Sequence, residues 1–281
     1  MLDFDQIRKL TITALFSDDM LIDKLVLKGG NAISLVYGFG SRGSLDLDFS
    51  LEQDFEDFTD AQTRMFASLA DRFSSVGLIV FDETFEPKPA TSRGDRWGGY
   101  ELSFKLIERP KYQQMHGSPD TLRRNALEVA PNHLRKFRVE FSKFEYCAGK
   151  SEMELDHYTI YVYTPAMLVI EKLRAICQQM REYRRRRHPQ PRARDFYDIY
   201  SLTVNAEINL TDQAHADLAK SVFEAKEVPL SLLGRIADQR EFHRPDWPAV
   251  QLSVGEQLKE FDFYFDFVVE QAAFLKALWV E

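Results

Sequence analysis

The sequence predicts an α+β protein: a mixed sheet with flanking helices, followed by a helical C-terminal part. Three observations carry that expectation. Strand-like apolar runs and alternations recur through the first 163 residues, helical spacing takes over near Thr164-Pro165, and apolar residues make up 44 % of the chain, with 22 Phe. That composition supplies ample core for one large domain or two modest ones in 281 residues and argues against disorder. Strand-rich followed by helix-rich sequence predicts a domain over 1–163 and a helical domain over 164–281.

Taken in order, Asp5 to Phe16 places Ile7, Leu10, Thr11, Ala14 and Leu15 at helical spacing. Leu25-Val26-Leu27 reads as a short buried strand. Lys28-Gly29-Gly30 then reads as a tight turn, with Asn31 as the N-cap of a helix running to Tyr37. Gly38 to Gly43 is a turn-rich loop. Ser44 to Ser50 alternates, with Leu45, Leu47 and Phe49 on one side and Ser44, Asp46 and Asp48 on the other, as in a half-buried strand. Phe58 to Ser75 is an amphipathic helix. Leu78 to Phe85, Gly99 to Ile107 and Lys136 to Glu145 read as strands of one sheet, and Glu108 to Pro131 as a long loop with some helix. Beyond Thr164, helices are expected over Pro165 to Arg184, Arg192 to Val204, Thr211 to Ala225 and Val254 to Val280, with Pro189 and Pro191 separating the first two.

The bulk numbers exclude several classes. A net charge of −8 argues against a protein that coats nucleic acid through a general positive field. It leaves room for a local basic patch, and Arg184-Arg185-Arg186-Arg187 with Arg192 and Arg194 supplies one. Cys147 and Cys177 are too few for a disulfide framework or a thiolate zinc site and read as reduced, buried thiols. The acidic N-terminus lacks a signal-peptide pattern, and no apolar run approaches the roughly 20 residues that span a bilayer. A soluble, cytoplasmic protein without a membrane partner is expected.

The chemistry centres on Ser44-Leu45-Asp46-Leu47-Asp48-Phe49. Residues i and i+2 of a strand point the same way, roughly 7 Å apart. Two carboxylates there repel unless a cation, a proton or solvent intervenes. Mg²⁺ takes one or two carboxylates plus substrate phosphate oxygens, and a third carboxylate from a neighbouring strand helps hold a second ion. Glu140 is the candidate, with Glu101 in reserve. Alone, Asp-x-Asp reads as a solvated strand face and Lys28-Gly29-Gly30 as a tight turn. Together they offer a metal site beside helix-start amides, with Lys28 as a point charge for a triphosphate. Trp97, Tyr100 and Tyr112 read as packing residues, and His116, His133 and His157 as structural or solvent-facing, because they lack metal-ligand spacing.

Leu27-Lys28-Gly29-Gly30-Asn31-Ala32 followed by Arg42-Gly43-Ser44-Leu45-Asp46-Leu47-Asp48-Phe49 resembles the signature of the AbiEii/AbiGii-type nucleotidyltransferase toxins, within the DNA polymerase β-like nucleotidyltransferase superfamily. Glu171-Lys172-Leu173-Arg174-Ala175 resembles that family's lysine motif, and Arg194-Asp195-Phe196-Tyr197-Asp198-Ile199-Tyr200 its Arg-Asp-x-x-Asp motif. Lys28 to Tyr200 covers about three-fifths of the chain. The resemblance implies a polymerase β-like catalytic sheet over 1–163 and a helical domain over 164–281 that completes the active site. It implies an NTP substrate, Mg²⁺ or Mn²⁺, transfer to the 3′ end of tRNA, and a cognate antitoxin. By residue, it implies metal ligation by Asp46 and Asp48 with Glu140, and catalysis by these aspartates with Lys172 and Asp195. Nucleotide binding falls to Lys28, Gly29, Gly30, Asn31, Ser44 and Arg194. Separately from the resemblance, the arginine run lies between the two later motifs, so Arg184, Arg185, Arg186 and Arg187 are expected to contact RNA. Asn31 departs from the small hydroxyl residue many relatives carry. A protein or small-molecule acceptor, and a nucleotide-binding regulator without catalysis, are the alternatives.

Overall fold

The run Leu25-Val26-Leu27 is wholly buried because its strand, β1 (Leu25–Lys28), lies inside a sheet rather than at its edge. The computed structural model describes residues 3–39, 46–89, 97–115, 118–129, 133–185, 188–254 and 258–280. Ahead of β1 come α1 (Phe4–Phe16), opened by an Asp3/Gln6 capping box, and α2 (Asp19–Lys24), capped by Asp18. After it, α3 (Gly29–Asn31) runs into a π-helical turn over Ala32–Val36. The chain returns as β2 (Leu47–Leu51), then α4 (Phe58–Ser74), β3 (Leu78–Lys88) and β4 (Gly99–Glu108). The short helices α5 (Arg109–Gln114) and α6 (Pro119–Arg124) lead to β5 (Phe137–Ser142), β6 (Ser151–Leu155) and β7 (Tyr158–Val162).

These strands form one seven-stranded mixed sheet in the order β3-β4-β5-β2-β1-β7-β6. β2 pairs antiparallel with β1 and parallel with β5, so its backbone is tied on both sides. α1 and α4 pack on each other and on the sheet, α1 against β7 and α4 against β3. Along β5 the apolar Phe137, Val139 and Phe141 are buried, while Arg138, Glu140 and Ser142 between them are exposed or half-buried. That alternation leaves one side of the sheet polar.

The β6–β7 hairpin had no counterpart in the sequence reading. Asp156 and His157 form its tip at φ +48° and +68°, the left-handed pair of a two-residue turn usually built from Asn-Gly. The strand expected from Ser44 starts at Leu47, with Asp46 in a bend before it. β5 ends at Ser142 rather than Glu145.

The chain divides into two compact units, the first made of 1–36, 43–147 and 151–162 and the second of 163–281 with the short segments 37–42 and 148–150. From Tyr163 on, the described residues of the second unit are mainly helical. α7 (Pro165–Cys177) is capped by the Thr164 hydroxyl and packs on α8 (Ala193–Asn205) and α9 (Gln213–Ala225). A 3₁₀ segment (Leu230–Gln239), α10 (Arg240–His243), α11 (Trp247–Val254) and α12 (Phe261–Phe274) follow. Phe196 of α8 stacks on Phe265 of α12 with centroids 5.1 Å apart and meets Phe261 edge-on, an aromatic core for this unit. The helix expected to Arg184 stops at Cys177, and the one expected over Val254 to Val280 is confined to Phe261–Phe274. Among the described residues, no helix is long and apolar enough to cross a membrane. Cys147 and Cys177 are both buried.

Candidate active site

Gly29 takes φ +70°, a conformation that costs an L-residue roughly 1–2 kcal/mol. It lets the chain leave β1 directly into α3. The helical segment therefore starts at Gly29, with Lys28 in the cap position, three residues before the cap the sequence suggests. A Cβ on Gly29 would lie 2.4 Å from Asp48 Oδ2, so the Asp48 carboxylate rests against the backbone at the helix start. Gly29→Ala is expected to cost about 1–2 kcal/mol in urea unfolding, and to lower nucleotide transfer further by pushing Asp48 aside.

Asn31 is not a cap. Its side chain is completely buried, accepting from Arg8 Nη1 at 2.7 Å and donating to the Asp46 carbonyl at 2.7 Å. Both ends of the carboxamide are used inside the protein. Lys28 is buried as well, with its ammonium 3.3 Å from Glu145 Oε1. Ser44 lies outside the described residues.

Register aligns the acids. Asp48 stands opposite Glu140 on β5, and Glu140 opposite Glu101 on β4. Directly opposed residues share a face, with strands about 4.8 Å apart. Lys88, at the end of β3, joins this row, donating to Glu140 Oε1 at 2.6 Å and Glu101 Oε2 at 3.0 Å. Burial opposes the charge on Lys88, but these two bonds outweigh it and raise its pKa. Asp46 senses the same groups: burial, then Glu140, push its pKa up, while Arg138 and Lys88 pull it down. Arg138 is exposed two residues before Glu140 on β5. The row thus brings together Asp46, Asp48, Glu140 and Glu101, with Lys88 and Arg138 as its cations.

No three His, Cys, Asp or Glu side chains among the described residues stand close enough to hold a metal ion. Glu140, expected as a third ligand, instead accepts from Lys88. Asp46 and Asp48 remain, two hard oxygen donors that fit an ion completing its shell with water and phosphate oxygens. Burial and the neighbouring Glu140 disfavour an uncompensated charge on Asp46, which a bound cation would relieve, and Asp48 sits against helix-start backbone.

The second unit assembles the later motifs. Lys172 on α7 donates to Asp195 Oδ1 at 3.0 Å and Asp198 Oδ2 at 2.7 Å on α8, and Arg192 also bonds Asp195. Lys172, Asp195 and Asp198 are all buried, so neither a solvated lysine nor a surface acidic pair describes them. Although burial opposes both charges, Lys172 is held well above the usual ammonium range by Asp195 and Asp198. Asp195 is held well below the usual carboxylate range by Arg192 and Lys172. Arg194 is exposed and, with Arg192, Asp195 and Asp246, lines a cleft of about 230 Å³. Of the arginine run, Arg184 is exposed and Arg185 pairs with Glu227, while Arg186 and Arg187 lie outside the described residues.

Behind α8, His243 is fully buried, its Nδ1 accepting the Arg192 backbone N–H at 3.0 Å. Burial lowers its pKa to about 4. Between pH 6.5 and about 4 the unfolded chain binds a proton there that the folded chain excludes, so stability falls with falling pH across that window. Thermal unfolding of wild type should show this loss, on the order of 3 kcal/mol in all. His243→Asn, which keeps an acceptor but no titration, should lack it.

A sequence model described as "Nucleotidyl transferase AbiEii toxin, Type IV TA system" matches residues 12–267. The chain belongs to the AbiEii nucleotidyltransferase toxin family. AbiEii membership thus spans both units. Among solved structures, a putative nucleotidyltransferase from Helicobacter pylori is similar at 16 % identity and a TM-score of 0.50, covering 98 % of this chain and 94 % of that one. The Helicobacter pylori protein JHP933 is similar at the same identity and TM-score, covering 98 % and 91 %. These likenesses show a shared nucleotidyltransferase fold. No curated relative matches the chain.

Sequence reading missed Lys88, Arg138 and Arg8. Arg138 carried one usable signal, a basic residue alternating with an acid on the polar side of an expected strand, as in Lys136-Phe137-Arg138-Val139-Glu140; Lys88 carried none, because it lies beyond the strand expected to end at Phe85. Arg8 gave none, because its partner lies 23 residues away.

Proposed function

We propose that this AbiEii-family chain transfers nucleotides from an NTP to the 3′ end of tRNA, using Mg²⁺ or Mn²⁺ bound by Asp46 and Asp48, and that a cognate antitoxin restrains it in the cytoplasm. The observation that carries the reading is the Asp48 carboxylate resting against Gly29 at the start of a helical segment. A phosphate sharing a cation with Asp48 would lie beside the backbone amides of Gly29 and Gly30, which suit anionic oxygens. Residues 1–163 would form the catalytic domain, and 164–281 a helical domain completing the active site.

A bound divalent ion would neutralise triphosphate charge and make the attacking hydroxyl easier to deprotonate. Asp46 and Asp48 would hold it through their carboxylate oxygens. Glu140, released from Lys88, is available as a proton acceptor or further ligand. Arg138, exposed and close enough to Asp46 to act on its charge, would meet substrate phosphate. In the helical unit, Lys172 holds Asp195 and Asp198 in place, and Asp195 anchors Arg192 at a cleft where Arg194 offers a second guanidinium. Arg184, Arg185, Arg186 and Arg187 would contact RNA phosphates.

The test is incubation of the pure protein with each α-labelled NTP, Mg²⁺ and total tRNA. Label at the tRNA 3′ end, absent with EDTA, is expected. Net charge −8 favours a second reading in which the acceptor is a protein side chain. Label entering lysate protein and leaving tRNA untouched would select it.

A further inference from the structure

Between α1 and the Asp-bearing turn, three polar groups make a continuous buried chain. Arg8 is 2 % exposed and Asn31 0 %. The Arg8 guanidinium is held from the N-terminal side by Asp5, lies 4.6 Å over the Phe4 ring, and donates to Asn31 Oδ1 at 2.7 Å. Asn31 Nδ2 in turn donates to the Asp46 backbone carbonyl at 2.7 Å. Few side chains can do this: a carboxamide carries an acceptor and a donor on one planar end. Here the acceptor faces a cation and the donor faces a main-chain oxygen.

Position makes this arrangement consequential. Asp46 lies in the bend before β2, outside the ladder that fixes Asp48 on both sides. Among its own peptide's contacts, the bond from Asn31 ties that bend to α3, whose first residue touches the Asp48 carboxylate. One side chain therefore couples the placement of Asp46 to the glycine turn that places Asp48. The Arg8–Asn31 bond is buried and the Asn31–Asp46 bond partly so, and a bond shielded from water holds geometry more firmly than the same bond in solvent.

We infer that Asn31 is a positioning residue: with Arg8 behind it, its carboxamide clamps the Asp46 carbonyl and so sets the separation of the two aspartates that bind the divalent ion. This rests on the proposed metal-binding role of Asp46 and Asp48. Asn31 acts through the main chain of Asp46 and touches no substrate.

Asn31→Asp separates this role from simple packing. Aspartate has nearly the same shape and keeps an acceptor for Arg8, but it offers no donor to the Asp46 carbonyl. Its added negative charge would by itself tighten cation binding, so weaker binding has only the lost clamp as its source. Direct Mn²⁺ titration followed by electron paramagnetic resonance, without nucleotide, provides a readout independent of turnover. About a tenfold weaker Mn²⁺ affinity, equal to about 1.4 kcal/mol, is expected in Asn31→Asp at a melting temperature close to wild type. The metal-dependence curve of kcat should shift likewise. Asn31→Ser, neutral and too short to reach both partners, is measured alongside so that misfolding of the aspartate variant leaves a result; the same loss is expected. Asp48→Ala fixes the reference. If it binds Mn²⁺ as wild type does, the metal-site reading falls and this inference with it. If it loses Mn²⁺ while the well-folded Asn31 variants bind as wild type, the clamp is overturned and the metal site stands.

Discussion

Asp48→Ala should reduce nucleotide transfer by about a thousandfold or more while leaving a folded protein. A metal-binding carboxylate supports several kcal/mol of transition-state charge stabilisation, and each 1.4 kcal/mol is a factor of ten. The fold should survive because β2 is held chiefly by other groups. These are backbone pairing to β1 and β5, together with the buried Leu47, Phe49 and Leu51. Asp48→Asn is the sharper variant, since it preserves volume and removes only charge and ligand strength. Both are to be assayed by label transfer to tRNA and by thermal unfolding. Activity in either within tenfold of wild type would detach the reaction from this strand.

Lys172→Met should instead fail through stability, losing about 3–5 kcal/mol. Its ammonium lies between Asp195 and Asp198, all three buried, and removing it strands two carboxylates in the core of the helical unit. Such a loss is a large share of the 5–15 kcal/mol typical of a whole domain. Arg192 still reaches Asp195, which leaves Asp198 as the more exposed casualty. Replacing the trio together, as Lys172→Met with Asp195→Asn and Asp198→Asn, should recover most of that stability, because no unpaired charge remains. Urea unfolding of the single and triple variants checks this. A single variant as stable as wild type would contradict the buried triad. A stable triple variant that transfers nucleotides normally would remove Lys172 and Asp195 from the reaction.

Much of this molecule could be read from its residues, for identifiable reasons. The alternation Leu47-Asp48-Phe49 was legible because β2 buries one set of side chains and leaves Asp48 on the polar side. The order of sheet then helices was legible because period-two patterns give way to 3.6 at Pro165. The β6–β7 hairpin was not, because Glu152, Met153 and Glu154 are exposed on an edge strand and carry no alternation, and its turn lacks glycine. Asn31 reads locally as a cap after two glycines; its partner Arg8 is distant in sequence and no periodicity points to it. Lys88 was invisible for a similar reason: its two carboxylates come from β4 and β5, and only the sheet order brings them to the end of β3. Lys172 was legible as part of a motif, yet its seclusion was not, since lysine on a helix is ordinarily solvated.

The pairing of Asp48 with Glu140, and of Glu140 with Glu101, sets where this chain tolerates extra residues. One residue inserted within Phe137–Ser142 would turn Glu140 towards the hydrophobic interior and swing Val139 or Phe141 out in its place. The same insertion in the connection between α6 and β5 would leave the pairing of β5 with β2 and β4 in register. Length variation in homologous chains should therefore gather in that connection and be nearly absent from the six residues of β5.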